Sequence, residues 1–310
     1  MPHQVQQQLI KRRLIGKEGS ERLRELRTAL TQLPNYKNGP YADLRKWVMA
    51  EIEATRARAR VVQRDSLSVR REGVAQIALV GPPNAGKSSL LQAISEIQIK
   101  IGSYAFTTLR PVPALVRLRG VLVQFVEIPG LVEGATEDRG GGRSLLGVLR
   151  GADAIIYCQD ASGSPSELAV VRNEVITAGI DLPAIIAATK MDEAGDPAVS
   201  RLQAAFPGLT IVPVSVIDDA SLERFKEAAW GLLGLMCVYL RRSGVVDEEP
   251  LALPLGATVL DAAREIHNEL ASTARGARVW GPSARFDGQL VGLRHEVKDG
   301  DAVEIITRPG

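Results

Sequence analysis

The sequence predicts an α/β fold: a mostly parallel, doubly wound sheet, preceded by a helical hairpin and followed by a small α+β module. Three observations predict it. Leucines at three-four spacing dominate residues 1–72, six short apolar segments alternate with helical stretches over 73–244, and short strands around one capped helix fill 245–310. These changes of pattern set the three expected domains at the same boundaries.

In the first domain, residues 5–33 read as one helix, with Leu23, Leu26, Leu30 and Leu33 on a single face. "LPNYKNGPY" breaks it with two prolines and a glycine. A second helix from Tyr41 to Arg64 turns Leu44, Trp47, Val48 and Ile52 inward. Charge is divided along the chain. Residues 1–72 hold 16 Lys/Arg against 8 Asp/Glu, the remainder 22 against 28, so a basic arm precedes an acidic body. That balance suggests a polyanionic partner. Arg56, Arg60 and Arg64 recur every four residues and share one helix face, suited to phosphate contacts or simply to solvent.

The strands of the second domain are "VAQIALVG", "PALVRLRG", "VLVQFVEI", "AIIYCQD", "PAIIAATK" and "TIVPVS". The second and third, joined by a tight Arg-Gly turn, read as an antiparallel hairpin at one edge. The others suit a parallel sheet covered on both faces. A helix from Leu222 to Arg241 is expected to close the unit. In the third domain, "PLALPLGATVLDAAREIHNEL" gives a strand and then a helix whose Thr258 and Asp261 form a capping box. "ARVWG", "RFDGQLVG" and "DAVEIIT" supply further strands, with "KDGD" as a turn.

Composition excludes several classes. A hydrophobic share of 45% with 4% aromatics is that of a globular chain, and no run of ~18 apolar residues could span a bilayer. The N-terminus lacks the apolar stretch of a secretory signal. Cys158 and Cys237 have no metal-ligand spacing, so a reducing, cytoplasmic compartment is expected. His3, His267 and His295 have no ligand partners, and no nucleophile–base arrangement suggests acyl transfer.

"GPPNAGKS" fits the phosphate-loop pattern, with Gly81, Gly86, Lys87 and Ser88 at its fixed positions between a strand and a helix. Its glycines let backbone amides curl around a phosphate, and the helix N-terminus adds its positive end. Lys87 is expected to neutralise β/γ oxygens, and Ser88 to offer a hydroxyl to Mg²⁺. Pro82, Pro83, Asn84, Ala85 and Ser89 complete the nucleotide-binding loop.

The base is expected to be read by "TKMD", Thr189 to Asp192. It departs from the guanine motif N-K-x-D only in its first residue. A carboxylate at Asp192 can accept from both guanine N1–H and the N2 amino group, which adenine lacks, so discrimination of about 10⁴-fold is available. The stem of Lys190 would cover the base. Thr189 is shorter than Asn, so a loss of affinity is expected. "PVSV" brings Ser215 and Val216 into the site, with the Ser215 amide placed to meet the guanine oxygen.

"GPPNAGKSSLL", "SYAFTTLRPVPALV", "EIPGLVEGA" and "RGGGRSLLGVLRGAD" together resemble the Obg/DRG group of GTPases. The segment from "LPLGATVL" to "DAVEI" resembles their TGS domain, a β-grasp module. The order is most similar to the developmentally regulated GTP-binding proteins. Their inserted small domain between "DAS" and "TKMD" is absent, and no glycine-rich Obg domain precedes the phosphate loop. The resemblance implies a P-loop G domain with Thr107 and Thr108 in switch I, Thr108 binding Mg²⁺. It also implies Gly130 donating its N–H to the γ-phosphate, and "GATEDRGGGR" as switch II.

Two positions depart from ordinary switch proteins: Glu127 stands where an Asp accepts from a Mg²⁺-bound water, and Leu131 cannot orient the attacking water. The resemblance implies slow hydrolysis nonetheless, assisted by K⁺ near Asn84, whose side-chain carbonyl is a hard oxygen donor. Lys87, Thr108, Gly130 and Asn84 are thus the expected catalytic set. The expected function is a slow, Mg²⁺-dependent, K⁺-stimulated GTPase switch linked, through the family, to the ribosome or rRNA. The alternative is a GTP-binding scaffold with little turnover. A P-loop ATPase or kinase is disfavoured by Asp192.

Overall fold

A computed structural model describes residues 3–14, 19–34, 39–64, 69–95, 111–129, 142–195 and 197–307. The chain divides into two compact units at Ser68/Val69.

The first unit contains α1 (His3–Leu14), α2 (Gly19–Gln32) and α3 (Pro40–Arg64). The expected single helix over 5–33 is two helices. Ile10 and Leu14 of α1 share one buried cluster with Leu26, Ala29, Val48 and Ile52, which a straight helix running on into α2 could not achieve. Arg45 on α3 donates to the carbonyls of Leu30 and Leu33, satisfying acceptors at the C-terminal end of α2. Arg22 pairs with Glu51 across the same two helices at 3.0 Å, and Lys11 lies 5.7 Å above the Trp47 ring.

The second unit opens with β1 (Gln76–Val80), α4 (Lys87–Ile94), β2 (Val112–Leu118), β3 (Val121–Glu127), α5 (Gly142–Arg150) and β4 (Ala154–Asp160). It continues through α6 (Pro165–Thr177), β5 (Ala184–Thr189), α7 (Met191–Ala194), α8 (Pro197–Ala205), β6 (Thr210–Pro213) and α9 (Asp219–Gly231). The sheet runs β2-β3-β1-β4-β5-β6, parallel except for β2 at the edge. Every residue of β1 is buried, as a strand covered on both faces requires. Phe125, Ile77, Leu79, Leu90 and Phe225 anchor its core. Arg119 (φ 46°) and Gly120 (φ 88°) form the β2–β3 turn, with both φ values positive as a two-residue hairpin demands.

The remaining elements are β7 (Leu235–Arg242), β8 (Val245–Val246), β9 (Leu251–Pro254), α10 (Val259–Ile266), α11 (Asn268–Thr273), β10 (Ala274–Trp280), β11 (Gln289–Gly292) and β12 (Ala302–Thr307). They form a second sheet, β11-β10-β12-β7-β8, with β9 also on β7. The helix expected from Leu222 to Arg241 is therefore corrected. It stops at Gly231, and its apolar tail becomes β7, which precedes the 245 boundary and belongs to the second sheet. The reason is periodicity: Met236, Val238 and Leu240 alternate into the second core, while Cys237 turns to the first. The capping box on α10 forms as expected, Thr258 and Asp261 bonding each other's backbone amides.

Candidate nucleotide-binding site

β1, β3, β4, β5 and β6 are parallel, so their C-terminal ends open on one edge. Ligands of open α/β sheets bind outside that edge. Gly81 follows β1, Glu127 ends β3, Asp160 ends β4, Thr189 ends β5 and Ser215 follows β6. Four residues singled out by motif, Gly81, Glu127, Thr189 and Ser215, are thus assembled by topology, with Asp160 among them.

The phosphate loop starts at Gly81, where a Cβ would lie 2.2 Å from the Cys158 carbonyl, so only glycine lets β1 and β4 approach there. Asn84 (φ 60°) and Gly86 (φ 76°) bend the chain into the N-terminus of α4. Pro83, Asn84 and Ser89 are exposed, whereas Pro82 and Ala85 are buried beneath the loop. Lys87 is buried, its Nζ donating to the carbonyls of Gly81 at 3.0 Å and Pro82 at 2.8 Å. Burial lowers its pKa, with Glu127 among the groups acting in the opposite sense. Such an ammonium gains from an incoming anion. Ser88 Oγ donates to Glu127 Oε1 at 2.7 Å. This hydroxyl–carboxylate pair is a hard oxygen set suited to Mg²⁺, and among the described residues no cluster of three His, Cys, Asp or Glu offers another metal site.

At the base-reading end, Lys190 has φ 56° and places Nζ 2.6 Å from Asp160 Oδ2. That bond raises the Lys190 pKa. Asp160 is held below its ordinary value: burial opposes ionisation, but Lys190 and nearby amides outweigh it. Asp160 belongs to no motif, so the sequence gives no signal of its part in the site. Asp192 is exposed, and its Oδ1 accepts from Ser215 Oγ at 2.5 Å. The Ser215 amide, expected to meet the guanine oxygen, is corrected: it donates to Ser221 Oγ at 3.0 Å, because Ser221 folds back from the first turn of α9. The neighbouring Val216 is exposed. Thr189 is buried, its Oγ1 donating to the carbonyls of Ala85 at 2.9 Å and Gln159 at 3.1 Å. It ties the two loops together rather than facing outward. Thr107, Thr108, Gly130, Leu131 and the whole of "GATEDRGGGR" apart from its last two residues lie outside the described residues.

Comparison with known proteins adds independent findings. Residues 76–190 match the family described as 50S ribosome-binding GTPase, and residues 236–307 match the TGS domain. The Dictyostelium discoideum developmentally-regulated GTP-binding protein 2 homolog is 27% identical, over 79% of this chain and 86% of its own length. In carrying these two domains in this order the chain is similar to the Obg/DRG-type P-loop GTPases. An uncharacterized GTP-binding protein of Halobacterium salinarum is 29% identical, over 78% of this chain and 85% of its own length. That match runs over 315 residues yet covers only part of these 310, so the relative carries residues with no counterpart here. Among solved structures, the chain is similar to a variant of Aquifex aeolicus Era bound to GDP·AlF4⁻ (25% identity, 63% of this chain, 65% of that one, TM-score 0.44). The chain thus joins a segment of the GTPase family to a TGS domain. No helix among the described residues is long and apolar enough to cross a membrane.

Proposed function

We propose that the protein is a slow, Mg²⁺-dependent GTPase that acts as a molecular switch. The observation that carries this reading is the gathering on one sheet edge of buried Lys87, the Ser88–Glu127 pair and the Asp192–Ser215 pair. Lys87 and the amides of 81–88 hold the phosphates. Ser88 and Thr108 would hold Mg²⁺, with the Glu127 carboxylate in its outer shell, and the ion would neutralise charge on the phosphates. Asp192 takes the N1/N2 edge of guanine, Lys190 covers its face, and the Val216 amide is the donor next to its oxygen. Water then attacks the γ-phosphorus, and GTP becomes GDP and phosphate. Asn84 would supply an oxygen for K⁺, which would add positive charge beside the triphosphate where other systems insert an arginine. The test is γ-phosphate release in KCl against NaCl: faster release in KCl is expected, and equal rates would remove Asn84 from the chemistry.

A second reading, a GTP-binding scaffold with little turnover, is favoured by Leu131 standing in place of a water-orienting glutamine. Undetectable phosphate release with intact GDP binding would select it.

The partner we infer is the ribosome or rRNA, in the cytoplasm where the two unpaired thiols stay reduced. Supporting it are the family description of the G domain and the basic first unit. Arg56, Arg60 and Arg64 follow one another along the backbone of α3, although their side chains lie outside the described residues. Co-sedimentation with ribosomes should weaken steeply with salt, and replacing the three arginines should abolish it. Sedimentation unaffected by those replacements would rule this face out.

A further inference from the structure

We propose that the N7 edge of guanine is left unread in this protein, and that Thr189 is a positioning residue locking the phosphate loop to the base-reading loop. This rests on the guanine-nucleotide reading above. A threonine hydroxyl has one hydrogen. That hydrogen is directed at two main-chain carbonyls, Ala85 at 2.9 Å and Gln159 at 3.1 Å, on the phosphate loop and β4. Gly86 backs onto the same side chain, since a Cβ there would meet Thr189 Oγ1 at 3.2 Å and Cβ at 3.3 Å. With the residue 4% exposed and its hydroxyl hydrogen committed, no side-chain donor remains at this position for a purine.

Guanine presents acceptors at N7 and O6 on one edge and donors at N1 and N2 on the other. The donor edge is provided for: Asp192 is held by Ser215 Oγ at 2.5 Å, which itself accepts from the Ile217 amide at 3.4 Å. Lys190 is fixed over the site by Asp160 at 2.6 Å. With Asp192 on the donor edge, the imidazole ring faces back toward the phosphate loop, the side on which Thr189 stands. Recognition therefore rests on the donor edge, and Thr189 sets the distance between that edge and the phosphates.

The test is a competition titration of the full chain with GDP, 7-deaza-GDP and inosine diphosphate. 7-Deaza-GDP lacks the N7 acceptor and is expected to bind within about twofold of GDP. Inosine diphosphate lacks the N2 amino group and should bind about tenfold or more weakly, the size of one lost hydrogen bond to a charged group. Thr189→Val keeps shape and removes the hydroxyl. It should weaken GDP and 7-deaza-GDP by one common factor of about tenfold, with Thr189→Ser restoring both. A fivefold or larger preference of the native protein for GDP over 7-deaza-GDP would overturn the proposal, as would an unchanged GDP affinity in Thr189→Val. If neither guanine nucleotide bound, the failure would lie in the guanine reading itself, a result readily told apart from the other two.

Discussion

Ser88 Oγ donates to Glu127 Oε1 at 2.7 Å. The extra methylene of a glutamate lets its carboxylate reach the hydroxyl beside the phosphate loop. The backbone explains why. Glu127 pairs with Leu79 in register, two residues before the loop begins, so its side chain has that distance to cover. Glu127→Asp should therefore lose reach and Glu127→Ala lose the charge. Partners that orient metal ligands typically contribute about 10–100-fold to metal affinity. We expect the Mg²⁺ concentration that half-protects bound GDP from dissociation to rise by about tenfold in Glu127→Asp and more in Glu127→Ala. Stopped-flow release of a fluorescent GDP across a Mg²⁺ series measures it.

Lys87 illustrates a residue whose folded-state environment is costly without its ligand. Its ammonium is buried against two carbonyls, and burial lowers its pKa. Lys87→Met should reduce GDP affinity by more than about 100-fold, because charge-assisted bonds to phosphate vanish. The melting temperature measured without nucleotide should stay level or rise, since an apolar side chain avoids the desolvation of a buried charge. Calorimetry with and without GDP separates the two effects.

The β2–β3 turn joins the two sheets. Arg119 forks to Glu227 on α9 (2.6 and 2.9 Å) and to Asp299 before β12 (3.1 Å). Asp299 accepts from the Cys237 amide at 2.8 Å, and a Cβ on Gly120 would sit 2.8 Å from Pro250. These side chains are partly exposed, so each ion pair is worth only about 0–1 kcal/mol. Arg119→Ala should thus lower the melting temperature by a few degrees while raising hydrogen exchange at the start of β7. Unchanged exchange there would mean that the apolar contacts of Cys237 and Tyr239 hold the joint alone.

Asp261 gives a pH dependence. Its pKa is lowered first by the Thr258 hydroxyl and then by the Thr258 amide. A carboxylate with a depressed folded pKa stabilises the fold above its unfolded value and loses that contribution as pH falls through the folded one. The contribution is therefore present at neutral pH and lost below the ordinary value of 3.8. Asp261→Asn should destabilise the second sheet's unit at pH 7 by about 1 kcal/mol or less, the scale of a helix cap. The native and variant denaturation midpoints should converge as the solution is acidified into that range.

Much of this was legible in the chain. The phosphate loop announces itself because its chemistry needs glycines at fixed places, and the strands of the first sheet stand out as apolar runs between turns. Three features were not legible, for physical reasons. The stretch from Gly231 to Leu240 is apolar almost throughout, so helical and alternating periods overlap, and only the second core shows which applies. Arg119 reads as an ordinary turn residue because its partners lie 108 and 180 positions away. Thr189 reads as a damaged base contact, since its motif position suggests a ligand, whereas its hydroxyl is committed to main-chain carbonyls.

The central claim is that a guanine nucleotide is recognised at Asp192 while its phosphates rest on residues 81–88. Isothermal titration of the native protein with GDP and with ADP, at saturating Mg²⁺, tests it most directly. GDP is predicted to bind at least about 10³-fold more tightly than ADP, with the gap closing in Asp192→Ala. Equal affinities for the two diphosphates in the native protein would contradict it.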